Sequence, residues 1–316
     1  MGRRRPAGHH GVLLVDKPAG ITSHDVVARV RRRLGQPQVG HTGTLDPMAT
    51  GLMVVTLGRA TRLAQFIEAT EKAYVGEVTL GISTTTYDAE GEVVETAPVP
   101  PLGLEALQRA AAGLVGALAQ EVPAFSAVKV DGERLYAKAR RHEAVALPVR
   151  TVVIHALEVQ AVAGPRITVA ATVSKGTYIR SLAVQLGAAL GLPAHLSALR
   201  RTRVGPYRIE DAVTLDDPDA PWTPIPPEGA VRFLPALLAD PEATRGVSFG
   251  RQVPAGRVRP EGTFAAGDPV RVVSPEGTLL AVGHALVGSE ALAERPAGEP
   301  AVRYACVLVD TSGAEP

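Results

Sequence analysis

Twelve residues, Asp216 to Pro227 (DDPDAPWTPIPP), set the first limit on what this chain can fold into. Proline fixes φ and has no backbone N–H, so neither a helix nor a central strand runs through such a stretch. It separates two regions of different texture. Upstream, Val26, Val27, Val30 and Leu34 follow Ser23 at helical spacing, which predicts a helix capped by Ser23. Leu104, Leu107, Ala111, Leu114 and Leu118 predict a second helix, and Tyr178 to Leu190 a third. Gly11 to Asp16, Tyr74 to Leu80, Val152 to Leu157 and Ile167 to Val173 read as strands. Downstream, after a helix predicted over Val231 to Leu238, short apolar strings at Pro269 to Val273, Leu279 to Val282 and Cys306 to Val309 alternate with glycine and proline turns, the texture of a small β barrel. The expected class is α/β in the α+β sense, with residues 1–230 as one domain and 231–316 as a second.

Composition enters through what it excludes. In 316 residues no apolar run approaches the roughly 18 that a membrane helix needs. Behind the basic MGRRRPAGHH only Val12 to Val15 is apolar, too short for the core of a signal peptide, so a cytoplasmic protein is expected. A lone Cys306 rules out a disulfide scaffold or zinc ribbon and is expected to be buried as a small hydrophobe, and His9, His10, His41 and His142 lack metal-ligand spacing. The net charge of +1 carries no sign of a polyanionic partner, but its distribution does. Basic residues gather at Arg3 to Arg5 with Arg29 and Arg31 to Arg33, at Lys129 to Arg141, and at Arg200 to Arg208, while Glu68 to Glu121 is acidic. Gathered on one face, the three clusters would form a footprint for nucleic acid.

Chemistry concentrates in Gly40 to Leu52, GHTGTLDPMATGL. Glycines at 40, 43 and 51 free the backbone, Pro47 sets the geometry after Asp46, and His41, Thr42 and Thr44 surround one carboxylate with small polar groups. On these residues alone, a positioned carboxylate and a plain Asp-Pro turn start are equally good readings. Ser174 to Arg180, SKGTYIR, runs from a strand end into a helix. It lacks the upstream glycine of a phosphate loop, and no GxSxG elbow occurs in the chain.

GHTGTLDPMATGL, with KPAGITSHD before it, KAYVGEVTLG after it, then FSAVKVDGERLYAKAR and SKGTYIRSLA, resembles in order and spacing the bacterial tRNA pseudouridine synthases of the TruB family. The resemblance spans Gly11 to Thr214. It implies a catalytic domain with a mixed, largely antiparallel sheet and flanking helices, an RNA-gripping insertion at about 122–150, and a C-terminal RNA-binding barrel of the PUA type. It also implies isomerisation of the uridine at position 55, in the TΨC loop. The T arm of tRNA would be the partner, with no membrane, no required protein partner, no cofactor and no metal, and the enzyme would act as a monomer.

Carried over residue by residue, the resemblance makes Asp46 the nucleophile, Arg180 its ion-pair partner, His41 a substrate contact, Tyr74 the ring stacked on the target base, Tyr178 a second pocket tyrosine and Leu199 an apolar wall. Lys17 and Pro18 match a structural KP motif. Ala124 and Phe125 depart from the family, which commonly has proline and tyrosine there. Read from the residues alone, a core ring of its strand is the commoner fate of a tyrosine placed as Tyr74 is, and His41 reads as a hydrogen-bonded turn residue. Uridine isomerisation breaks N1–C1′ and forms C5–C1′ without redox change or hydrolysis, and it needs an anion beside the sugar or the base. A carboxyl of ordinary pKa near 3.9 is ionised at neutral pH, and Arg180 is expected to hold it there. A synthase acting on another RNA, a non-catalytic tRNA-binding chaperone and an N-glycoside hydrolase are the alternatives. The last wants a second acid, and none stands in the Gly40 to Leu52 loop. Removing the chain beyond Ala230 is expected to weaken RNA binding more than chemistry.

Overall fold

The computed structural model describes residues 8–309 except Ala127, Asp131, His142, Ala144 and Pro218, so Arg3 to Arg5 of the first basic cluster and His142 lie outside the described residues. The chain runs through β1 (Gly11–Lys17), α1 (Ser23–Leu34), β2 (Val39–Thr42), β3 (Thr50–Leu57), α2 (Ala64–Glu68) and β4 (Lys72–Leu80). A hairpin of β5 (Ile82–Thr84) and β6 (Val93–Thr96) follows, then α3 (Leu104–Ala112) and β7 (Gly116–Glu121). The insertion holds β8 (Lys129–Val130), β9 (Glu133–Arg134) and α4 (Leu135–Arg140), and leads into β10 (Val149–Ala163), β11 (Arg166–Val173), α5 (Ile179–Ala189), β12 (Ala194–Val204), β13 (Tyr207–Arg208) and β14 (Val213–Thr214). After α6 (Pro227–Ala230) come β15 (Ala236–Ala239), α7 (Pro241–Ser248), β16 (Val258–Glu261), β17 (Pro269–Val273), β18 (Leu279–Ala285) and β19 (Val302–Val307).

The first region is one mixed sheet in the order β14-β1-β3-β12-β4-β11-β10-β7, with β2 added to β3 and β13 to β12. Among the described residues the β1–β14 and β3–β12 pairings of this sheet are parallel and the others antiparallel. Helices α1, α3 and α5 cover one face: Val26, Val27 and Val30, Leu107 and Ala111, and Ile179, Leu182 and Leu186 close over Leu13, Val15, Met53, Val55, Val78 and Val169. The second region is a five-stranded sheet, β16-β15-β17-β18-β19.

Strands β1 and β3 are buried on both faces. Their other side chains, Val12, Leu14, Leu52 and Val54, share a cluster with Ala60, Leu63, Phe66 and Ile67 of the same region and with Val231, Leu234, Val282, Cys306 and Leu308 of the second. Apolar runs without alternation, VLLV and LMVV, are the sequence mark of such strands. Cys306 is buried as expected. The shared core adds to one expectation: removing the chain beyond Ala230 also takes away part of the apolar cluster over β1 and β3, so the loss reaches beyond RNA binding.

Three local expectations are corrected. The cap of α1 is Thr22, not Ser23: Thr22 Oγ1 accepts from Asp25 N at 3.1 Å and the Asp25 carboxylate accepts from Thr22 N at 2.8 Å, a reciprocal capping box. The stripe through Leu118 breaks after Ala112; Gly113 caps α3, and Gly116, at φ 108°, opens β7. Val231 to Leu238 is not a helix, because Pro235 cannot donate and disfavours helix before it, and β15 begins at Ala236.

Candidate active site

The residues before α1 form the bed on which the Gly40–Leu52 loop lies. Lys17, at the end of β1 and fully buried, donates from Nζ to Pro18 O (3.0 Å), Pro47 O (3.1 Å) and Ala49 O (2.6 Å). Gly20 N donates to Pro47 O, and Ser23 Oγ accepts from Leu45 N and donates to Leu45 O. Asp46 is thereby clamped on both sides. From the opposite direction Arg201 of β12, 1% exposed, donates from Nε to Leu52 O (2.7 Å) and from Nη2 to Gly43 O (3.1 Å). A Cβ at Gly51, whose φ is 103°, would lie 2.3 Å from Arg201 O, so only glycine lets the loop pass this close to β12.

Arg180, in the first turn of α5, meets Asp46 with Nε 2.9 Å from Oδ2 and Nη2 donating to Oδ1 at 3.4 Å. The same guanidinium donates to Thr86 O (2.9 Å) and Phe125 O (3.0 Å) and stands 3.6 Å from buried Asp88. Phe125 contributes through its main chain, so this contact does not depend on which side chains occupy 124 and 125. Asp88 is itself held by Thr86 Oγ1 and by Glu90 N. Tyr87 between them has φ 64°, a left-handed backbone that is uncommon outside glycine. The bend lets neighbouring residues present a carbonyl and a carboxylate to one arginine.

These charges displace one another. Burial pushes the Asp46 carboxyl above its ordinary value, Arg180 draws it down and Asp88 pushes it up, with a net rise. The sequence-based expectation had the sign of the environment wrong, because desolvation outweighs the ion pair. Partial burial, Asp88 and Asp46 raise Glu90 as well. The acids missing from the Gly40–Leu52 loop are therefore supplied by residues 84–91. Nothing local in TTTYDAEGE marks them, because it is the chain crossing beside β12 that brings them in: Asp88 bridges to Leu196.

Tyr74 is buried on β4, in the same apolar cluster as Leu45, Ala49 and Leu199. Leu199 lies opposite Gly76, where a Cβ would meet its Cδ1 at 3.6 Å. Tyr178 precedes α5, and its N–H donates to Gln120 Oε1 at 2.7 Å. His41 sits on β2 rather than in a turn, and its Nδ1 is buried with no hydrogen-bond partner among the described residues. Burial, His24 and Arg201 all lower its pKa, favouring the neutral ring. The His24 ring meets it edge-on at 6.0 Å.

The basic clusters are less free than their sequence suggests. Arg29 pairs with Asp216, and Arg33 lies 4.1 Å over the Trp222 ring. Arg141 bridges Glu133 and Glu143. Arg200 pairs with Asp16, Arg203 with Glu71 and Arg208 with Glu210, while Arg201 is interior. Exposed pairs of this kind contribute about 0–1 kcal/mol, so a phosphate can replace the carboxylate at small cost.

Three family models match the chain: the N-terminal domain of TruB family pseudouridylate synthase over residues 31–179, the tRNA pseudouridylate synthase B C-terminal domain over 180–222, and the PUA domain over 235–307. A Thermobifida fusca protein named tRNA pseudouridine synthase B is 47% identical over 289 residues, covering 88% of this chain and 96% of that one. An Arthrobacter protein of the same name is 45% identical over 281 residues, covering 86% and 92%. Among solved structures, a chain of a Cbf5-Nop10-Gar1 complex superposes with TM-score 0.77 at 29% identity, covering 96% of this chain and 86% of that one. A chain of an H/ACA RNP bound to a substrate RNA does so with TM-score 0.76 at 27% identity, covering 96% and 86%.

Proposed function

The chain belongs to the TruB family of pseudouridylate synthases, and on that premise we propose that it isomerises the uridine at position 55, in the TΨC loop of tRNA, with Asp46 as the nucleophile. The observation that carries the reading is the Asp46–Arg180 ion pair, set at 2.9 Å on a loop held by main-chain contacts beside buried Tyr74 and Leu199. Asp46 acts as a carboxylate. Whether it adds at C1′, adds at C6 or removes the C2′ proton, the anion is the working form, and Arg180 keeps it ionised against the burial that favours the acid. A carboxyl raised in this way is also the better nucleophile once ionised. In this reading Tyr74 stacks on the uracil and receives the C5 proton, Tyr178 and Leu199 complete the pocket, and His41 fills the space the base vacates. Extruding the base costs a few kcal/mol, and aromatic stacking returns about 1–3 kcal/mol per base. Lys17 and Pro18 hold the loop. Residues 231–316 act as the RNA-binding domain beside a catalytic domain of residues 1–230, and the reaction needs no cofactor.

The test is incubation of the purified protein with an unmodified tRNA transcript and no cofactor, followed by carbodiimide modification and primer extension. A stop one nucleotide 3′ of the TΨC-loop uridine, absent with Asp46→Asn at unchanged tRNA affinity, is the expected result. Equal turnover by Asp46→Asn would remove the nucleophile assignment. A stop only in another RNA would favour the second reading, a synthase of other substrates, which the likeness to the H/ACA chain keeps in view.

A further inference from the structure

Three interior cations, Lys17, Lys72 and Arg201, lie beside the Gly40–Leu52 loop without an ion-pair partner among the described residues, and the last two are neighbours of Gly43. Arg201 is 1% exposed and Lys72 6%, and the hydrogen bonds of both go to main-chain carbonyls: Arg201 to Leu52 and Gly43, Lys72 to Glu68 (2.8 Å) and Thr70 (3.0 Å). They meet at one place. Arg201 Nη1 and Lys72 Cε each lie 3.5 Å from the point where a Cβ on Gly43 would stand. Nη1 has no hydrogen-bond partner among the described residues and is not among the atoms sealed from solvent.

Like charges this close in a low-dielectric setting repel, and buried charges are ordinarily paired. Burial and then Arg201 lower Lys72 to a pKa of about 8, with exposed Lys175 adding to the repulsion and Glu68 opposing it. Carbonyl dipoles satisfy donors but do not cancel two net charges. The place lacks an anion, and an anion would be drawn to it.

We propose that Lys72 and Arg201, with Lys175 at the rim, seat one backbone phosphate of the RNA, in the linkage flanking the nucleotide held at Asp46. The proposal rests on the reading above and deepens it. Gly43 is three residues from Asp46, at most about 11 Å along extended chain, so the seat and the carboxylate fall within reach of adjoining nucleotides. A phosphodiester suits the place better than a free anion because the base entering the pocket tethers it there at high effective concentration. Gly43, at φ 81°, puts no side chain between that phosphate and the two cations.

The experiment combines RNA and protein changes. Unmodified transcript and transcripts carrying a neutral methylphosphonate at each of the three linkages nearest the target uridine are titrated by filter binding against full-length wild type and Lys72→Met. One linkage is expected to cost wild type about tenfold or more in Kd when neutralised and to cost Lys72→Met nothing further, and the slope of log Kd against log salt should fall by about one in the variant. Losses that multiply at all three linkages, or an unchanged salt slope, would overturn the seat. Should Lys72→Met fail to fold, Lys72→Arg takes its place and should keep the wild-type salt slope and linkage sensitivity. No loss at any linkage in wild type overturns the seat by itself. Pseudouridine in the unmodified transcript with no such coupling counts against the seat alone, and pseudouridine at no uridine counts against the function.

Discussion

Around the Gly40–Leu52 loop, the interior side chains that hold the backbone are polar: Lys17, Lys72, Arg180 and Arg201 reach main-chain oxygens, and Ser23 holds both main-chain atoms of Leu45. In the sheet of β15 to β19 they are apolar, with Leu237, Val270, Val272, Leu280 and Val302 buried and Ser274 the polar residue among them. The difference is one of tolerance. An apolar core accepts any packing of similar volume, whereas a donor on a carbonyl fixes a particular atom in a particular direction. The loop is held to the accuracy that a reacting carboxylate needs, and the C-terminal sheet only to the accuracy that a surface needs.

Breaking the covalent continuity of the two regions should have the largest effect. A chain ending at Ala230 removes Val231, Leu234, Val282, Cys306 and Leu308 from the cluster over Val12, Leu14, Leu52 and Val54, and is expected to lose cooperative melting by circular dichroism. A sharp melt with intact turnover would show the regions to be separable. Next come two single changes of similar cost. Lys17→Met takes the Lys17 donor from three carbonyls, of which Pro47 O keeps Gly20 N, and Leu237→Ala opens a cavity, each costing about 3 kcal/mol of stability by urea titration. Only Lys17→Met should also lower kcat tenfold or more, and equal kcat in the two variants would erase the contrast.

Asp88→Asn keeps the shape but removes a charge from Arg180. It should slow turnover about tenfold to a hundredfold with little change in tRNA affinity, as read from single-turnover rates. The smallest effect is a pH slope. Because Lys72 is lowered from 10.5 to about 8, the unfolded chain binds more protons between those values, so stability should rise with pH across that window. Comparing urea midpoints at pH 8 and 9.5, the rise should exceed that of Lys72→Met by about 1 kcal/mol. Parallel profiles would place the Lys72 ammonium in a more polar setting.

Much of the molecule was legible in the chain. Val26, Val27 and Val30 marked the buried face of α1, and GHTGTLDPMATGL together with KPAGITS marked the clamped loop and its bed. Within the secondary structure the corrections are local ones: Thr22 rather than Ser23 as cap, a helix that ends at Ala112 rather than running on to Leu118, and no helix over Pro235. In each a proline, a glycine or a capping pair outweighs the apolar spacing.

Periodicity, turn chemistry and motif order act between near neighbours, and so the sequence by itself determined the elements, the α+β class and the place of Asp46. Three things depended on distant segments coming together. Asp88 joins the site because residues 84–91 pass beside Leu196, and the barrel shares a core with β1 and β3 because both of their faces are buried. Arg201, within a cluster that looked like surface, became an interior tether when β12 laid it across Gly43 and Leu52. Burial and electrostatic environment are properties of the assembled neighbourhood, which is why the upward shift of Asp46 and the unpaired charges at Gly43 appeared only in the folded chain.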